Sequence, residues 1–168
     1  MKRLTSWTVL LVLGGAGAIA AGQEHECMHS SGVTERGDHV MGFDHSRTAH
    51  HFRLTRSGGV IEASALDPAD TASRDQIRMH FTHIAAMFAQ GDFRAPMLIH
   101  DRVPPGVPEM KKRKAAIAYR AEETPTGGRV VIRTKDARAL AAIHEFLKFQ
   151  IRDHGTGDPL EVSGADPS

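Results

Sequence analysis

The chain has 168 residues, a formal net charge of +1 from 21 basic and 20 acidic residues, and 5% aromatic residues. A near-neutral chain gives no electrostatic basis for binding nucleic acid or an anionic membrane surface, and so few aromatic residues argue against a stacking platform for bases or sugars. The single cysteine, Cys27, excludes an intrachain disulfide bond, so stability has to come from a core, a bound ligand or assembly such as a homodimer.

The first 22 residues have the layout of a secretory signal peptide. Two basic residues, Lys2 and Arg3, precede an apolar run over residues 7–19, and small residues at 18 and 20 supply a cleavage signal. The apolar run is shorter than the roughly 20 residues that a membrane-spanning helix needs. We therefore expect a periplasmic or secreted mature protein, with no stable membrane insertion after residues 1–22 are removed.

Residues 23–47 have neither a helical nor a strand period, which indicates a flexible N-terminal segment. The segment contains imidazole, thiol and thioether groups: His25, Cys27, Met28, His29, His39, Met41 and His45. Such a set suits copper in a metal-capturing tail, while a polar linker with scattered histidines and methionines explains the same composition.

The first predicted elements are a hairpin and a helix. Residues 48–66 alternate around a turn at Gly58 and Gly59, which predicts a β-hairpin. Residues 74–93 then form an amphipathic helix with an apolar stripe for the core: Ile77, Phe81, Ile84 and Phe88. A second stripe lies about 100° further round the same helix: Gln76, His80, His83 and Met87.

The second half of the chain has the same order of elements. The apolar run at residues 96–100 predicts an edge strand or a packed loop, and residues 103–108 are a proline-rich loop. Two strands follow, around residues 115–121 and 129–134, with a turn at Gly127 and Gly128. Asp136 is an N-cap for a helix that ends before Gly155. The core-facing stripe of this helix consists of Leu140, Ile143, Leu147 and Ile151.

The two halves form a weak internal repeat of ββα units. The order predicts an α+β fold over residues 48–155, a two-layer sandwich whose antiparallel sheet of about four strands carries two helices on one face. Residues 156–168 are expected to fray. When Met79-His80 is aligned with Ile143-His144, the two helices face each other and His144 approaches His80 and His83.

The 11 histidines suggest a transition-metal site. Imidazole binds copper, zinc, nickel and iron, and a thioether shifts the preference towards copper. Two histidines three residues apart on a helix point into one site, and residues of neighbouring elements complete it. The predicted metal ligands are His51, His80, His83, Met87 and His144. The sequence therefore predicts an exported protein whose partner is a metal ion, most plausibly copper.

Two other functions remain open at this stage. The histidines could hydrogen-bond to one another along a helix seam in a non-catalytic structural or interaction domain. A histidine could also act as the general base of an enzyme, with a neighbouring carboxylate. The sequence contains no G-x-S-x-G motif, no H-E-x-x-H motif and no phosphate-binding glycine loop that would support the enzyme hypothesis, and we predict no catalytic residue from it.

Three blocks carry a resemblance to a known group of proteins. They are MGFDHSRTAHHF (41–52), SRDQIRMHFTHIAAMFAQGDFRAPMLIH (73–100) and IHEFLKFQIRDHGTGDP (143–159). These blocks resemble a small family of exported bacterial proteins without an established activity. The resemblance implies one domain over residues 41–159 and a separate N-terminal segment, and it transfers no functional residue.

Overall fold

The computed structural model describes Gly37 and residues 40–163, and it confirms the predicted α+β sandwich. Four antiparallel strands form one open sheet in the order β1-β2-β4-β3. The strands are β1 (Thr48–Thr55), β2 (Gly58–Ala65), β3 (Ile117–Thr124) and β4 (Gly127–Thr134). The helices are α1 (Thr71–Ala89), α2 (Arg94–His100), α3 (Val107–Lys112) and α4 (Ala137–His154). Within these described residues, no helix is long and apolar enough to cross a membrane.

The two ββα units repeat with a constant offset in the sheet. β1 and β3 begin 69 residues apart, as do β2 and β4 (117 − 48 and 127 − 58). The inner strands pair symmetrically, because Gly58 lies opposite Arg133 and its counterpart Gly127 lies opposite Ser64. A pseudo-twofold axis therefore passes between β2 and β4. The long helix α1 covers β3 and β4, and α4 covers β1 and β2.

The Gly-Gly pairs open β2 and β4 and do not form the hairpin turns that the sequence predicts, which are residues 56–57 and 125–126. A Cβ on Gly58 would lie 2.0 Å from the Ile132 carbonyl oxygen. A Cβ on Gly127 would lie 2.2 Å from the Ala63 carbonyl oxygen. Glycine is needed here because the two central strands approach each other too closely for a side chain.

Both long helices begin at an aspartate and press an apolar stripe onto the sheet. Asp70 accepts a hydrogen bond from the Ser73 amide, and Asp136 accepts one from the Ala139 amide. The buried stripe residues are Ile77, Phe81, Ile84 and Phe88 on α1 and Ile143, Leu147 and Ile151 on α4. Each such side chain contributes about 1.5–3 kcal/mol when it leaves water, so these two stripes hold the long helices on the sheet.

Residues 96–100, predicted as a strand or a loop, belong instead to the short helix α2. Asp92 accepts a hydrogen bond from the Arg94 amide at 3.0 Å, and Pro96 lies in the first turn, where a missing N–H costs nothing. Ile99 and His100 are buried at its end. Because α2 lines a cavity together with both long helices, it becomes part of the candidate site.

The C-terminal segment, here residues 156–163, lies along the outer edge of β1, and the rest of the stretch expected to fray, residues 164–168, lies outside the described residues. The Asp158 carboxylate accepts a hydrogen bond from the Phe52 amide at 2.9 Å. Leu54 forms a parallel bridge with Val162 and accepts a hydrogen bond from the Ser163 amide at 2.8 Å. These bonds satisfy edge groups of β1 that would otherwise face water.

Candidate functional site

Three of the predicted metal ligands line one open groove beside α1. His80, His83 and Met87 follow one another at spacings of three and four residues, which places them in a row along one face of the helix. The groove has a volume of about 330 Å³. Its other lining residues are Val40, Ile84, Arg94, Ala95 and Leu98. Two imidazoles and a thioether therefore share a surface that is otherwise largely apolar.

His80 is neutral at physiological pH. Burial, together with charge repulsion from the nearby His50 and His83, lowers its pKa to about 4. Its ring lies edge-on to Phe43, with 5.6 Å between ring centroids. Within the part of the chain that the structure describes, neither ring nitrogen of His80 makes a hydrogen bond. A neutral imidazole keeps a lone pair on one nitrogen, and this is the form that binds metal ions.

The structure places His51 outside this groove. Its Nδ1 lies 3.0 Å from an Asp158 carboxylate oxygen, and its side chain is 50% exposed. The bond links β1 to the C-terminal segment. The His51 side chain points outward because successive side chains of a strand alternate between the two faces, and the neighbouring Phe52 points into the core.

His144 is also outside the groove, because it binds the first hairpin. Its Nε2–H donates to the carbonyl oxygens of Thr55 and Gly58, at 2.9 and 3.0 Å. Arg78 does the same in the other half: its guanidinium donates to the carbonyl oxygens of Thr124 and Gly127, at 2.6 and 3.0 Å. His144 is therefore the counterpart of Arg78. The expected approach of His144 to His80 and His83 does not occur.

The reason is the helix offset. The N-caps of the long helices lie 66 residues apart (136 − 70), whereas the predicted pairing of His80 with His144 requires 64 (144 − 80), so Arg78 and not His80 is equivalent to His144. The helix offset is three fewer than that of the strands, because the β2–α1 linker is three residues longer than the β4–α4 linker. Among residues 37 and 40–163, no group of three or more His, Cys, Asp or Glu side chains is placed to hold a metal ion. The groove instead offers two imidazoles and one thioether.

Behind His80 lies a second feature that the sequence did not predict. A mainly apolar cavity of about 60 Å³ separates the sheet from α1, α2 and α4. This volume holds about two water molecules. Four histidines contribute to its lining: His50, His80, His100 and His154. Each of these histidines looks like an ordinary surface residue in the sequence. Only the topology of the fold brings the four together.

His154 is a half-buried, neutral member of the cluster. Burial lowers its pKa to about 3, and the charges of His100 and His50 act in the same direction. Its ring centroid lies 5.0 Å from that of His100 and 5.4 Å from that of Phe52. The helix offset makes His154 the counterpart of Phe88, so an imidazole replaces an apolar ring at this position.

His100 has a structural role instead. Its Nδ1 lies 2.5 Å from Asp153 and its Nε2 lies 2.7 Å from Gln150, so both nitrogens are engaged. Arg102 adds a contact to Asp153 at 3.3 Å and stacks over Phe149. These bonds fasten the end of α2 to α4 and close one side of the cavity.

Comparisons of the chain with protein-family models, with curated proteins and with solved structures give no match. The described structure offers a soft-ligand groove on α1, a histidine-lined cavity behind it, and two histidines, His100 and His144, that hold the fold together.

Proposed function

We propose that this protein is an exported transition-metal-binding protein, and that the groove at His80, His83 and Met87 binds copper. The observation that carries the proposal is the convergence of two imidazoles and a thioether on one open surface. Nitrogen and thioether sulfur ligands together suit Cu(I), which accepts soft ligands in low coordination numbers. In this proposal His51 and His144 are not ligands, because each has another bond.

The protonation state of His80 supports this function. A metal must displace the proton of a histidine before it binds, so metal affinity falls as pH drops below the pKa of the ligand. With a pKa of about 4, His80 is about nine-tenths neutral at pH 5, whereas an ordinary histidine at 6.5 is about one-thirtieth neutral. The groove thus retains one ready ligand in a mildly acidic medium.

The surroundings of the groove favour copper in its reduced state. Ile84, Ala95 and Leu98 line the groove beside Met87, and low polarity favours the lower charge of Cu(I). Arg94 is the one cationic side chain in the lining, and Asp92 neutralises it through a forked ion pair at 2.7–3.1 Å. The arginine therefore adds little repulsion for an incoming cation.

A competition titration tests the proposal. Chelator-treated protein is titrated with Cu(I) against bicinchoninate, and with Cu(II) and Zn(II) by calorimetry. We expect wild-type protein to bind one Cu(I) with micromolar or better affinity, and His80→Ala, His83→Ala and Met87→Ala each to weaken it at least about tenfold. His51→Ala is the matched control and should retain wild-type affinity. No micromolar binding of any of these ions, or equal losses in the control, would rule the groove out.

A purely structural role for the histidine cluster is the second candidate. The bonds of His100 and His144 favour it, since both fasten elements of the fold without a metal. It predicts the same melting temperature with and without chelator. General-base catalysis is less well supported, because imidazoles with pKa values of about 4 and about 3 are weak bases at neutral pH.

A further inference from the structure

The two edges of the sheet differ in what covers them. The outer edge of β1 is occupied by the C-terminal segment, through Asp158 and Ser163. On β3, no hydrogen bond from elsewhere in residues 40–163 reaches the outward backbone groups of Tyr119, Ala121 and Glu123. A row of unpaired backbone groups on an edge strand is a template for another strand.

The repeat identifies which groups of β3 point outward. In β1, the Phe52 amide and the Leu54 carbonyl point away from β2, because they bind the C-terminal segment. Their counterparts, 69 residues later, are Ala121 and Glu123 in β3. Both hairpins close with a two-residue turn, so the same alternation of inward and outward pairs holds in each.

We propose that β3 pairs antiparallel with β3 of a second copy of this chain, about a twofold axis at Ala121. Ala121 then forms a hydrogen-bonded pair with its own counterpart, and Tyr119 pairs with Glu123 of the second copy. Arg120 lies directly opposite Glu122 of the second copy, and Glu122 opposite Arg120. The two sheets join into one continuous antiparallel sheet, and the dimer is isologous.

Charge selects this register. Arg120 and Glu122 occupy the non-hydrogen-bonded positions, where facing side chains are closest. Two Arg–Glu ion pairs therefore form at once. A shift that centres the axis on Tyr119 sets Arg120 opposite Ala118. A shift in the other direction, to Glu123, sets two like carboxylates against each other. Charges on an edge strand ordinarily oppose pairing, but here their order is self-complementary.

The side chains are placed for this pairing. Arg120 is 77% exposed, with its Nε 3.4 Å from its own Glu122, so it is accessible to a partner. Glu122 is only 13% exposed and is held on the outer face of the sheet by Arg129, at 2.7 Å, so the Arg120 of a partner has to share this carboxylate with Arg129. At the centre, the small side chain of Ala121 packs against the core and leaves the edge unobstructed.

Sedimentation velocity of the full chain tests the pairing. We expect wild-type protein to sediment at about twice the monomer mass at micromolar concentration, and Arg120→Glu to raise the dimer dissociation constant about tenfold or more. Ala121→Pro removes one outward N–H without touching the β4 ladder, and should give a monomer. Arg56→Glu makes the same charge change in the exposed β1–β2 turn and should leave the dimer intact.

Mixing two variants gives a sharper test of the register. Arg120→Glu places two carboxylates at these positions, and Glu122→Arg places two guanidinium groups there, so each variant alone repels itself. An equimolar mixture restores both opposite-charge pairs and should form a heterodimer. Circular dichroism of each variant verifies folding. Three outcomes would each overturn the proposal: a wild type that is still monomeric at about 100 µM, an Ala121→Pro variant that is dimeric, or a mixture of the two folded charge variants that stays monomeric.

Discussion

Acidification should destabilise this fold well above the pH at which its carboxylates titrate. His80 and His154 are neutral in the folded state, with pKa values lowered by burial to about 4 and about 3, against 6.5 in the unfolded chain. The unfolded state therefore takes up protons first as pH falls. The stabilisation is fully present above about pH 6.5 and is lost progressively below it.

The magnitude follows from the linkage relation. Between pH 7 and pH 5 the unfolded chain gains about 0.7 proton at each of these two positions, while the folded chain gains almost none. Each histidine then costs about 2 kcal/mol of unfolding free energy, so the two together cost about 4 kcal/mol. Asp70, Asp136 and Asp158 have pKa values lowered by hydrogen bonds, so their contributions are lost only below about pH 4.

Urea unfolding, followed by circular dichroism at several pH values between 5 and 7.5, measures this loss. His154→Phe should halve the slope, because phenylalanine occupies the equivalent position, Phe88, and takes up no proton. His45→Ala, an exposed substitution, is the control and should keep the wild-type slope. Unfolding free energies that stay constant from pH 7 to pH 5, or a His154→Phe slope equal to the wild type, would refute the reasoning.

Three further outcomes follow from individual contacts. His144→Ala should lower the unfolding free energy by about 1–3 kcal/mol in urea melts, because two hairpin carbonyls lose their donor, and His144→Arg should recover most of it, as Arg78 does in the other half. Asp158→Ala should speed hydrogen exchange at the Phe52 amide, measured by NMR, while the core amides stay protected. Gly106→Ala should lower the melting temperature by several degrees, since its φ is 81° and a Cβ would lie 2.1 Å from an α4 carbonyl oxygen.

The architecture was predictable because its signals are local and repeated. Alternating strands and 3.6-residue stripes identified both ββα units, and Asp136 marked the start of α4, whereas α1 begins at Thr71, three residues before the predicted start. The α2 helix was missed because a short apolar run that contains proline has no decisive period. Its helical form depends on the side chain of Asp92 and on burial of Ile99.

The candidate site was predictable only where it lies on one helix. His80, His83 and Met87 share a groove because helical spacing alone sets their row. The position of His144 depended on how the halves align: the long helices are offset by 66 residues, whereas pairing His80 with His144 assumes 64. The cavity histidines come from β1, α1, α2 and α4, so no single stretch of sequence identifies their cluster.

The C-terminal segment along β1 has a consequence for how large an assembly can become. A sheet with two exposed edges can add copies at both ends and grow into a filament, whereas a sheet with one sealed edge can add a copy only once. By binding Phe52 and Leu54, the chain terminates its own sheet on one side. In a β3-paired dimer both outer edges would then be covered. A chain truncated just before Asp158 would expose the β1 edges again, and the closed pair would become an open polymer.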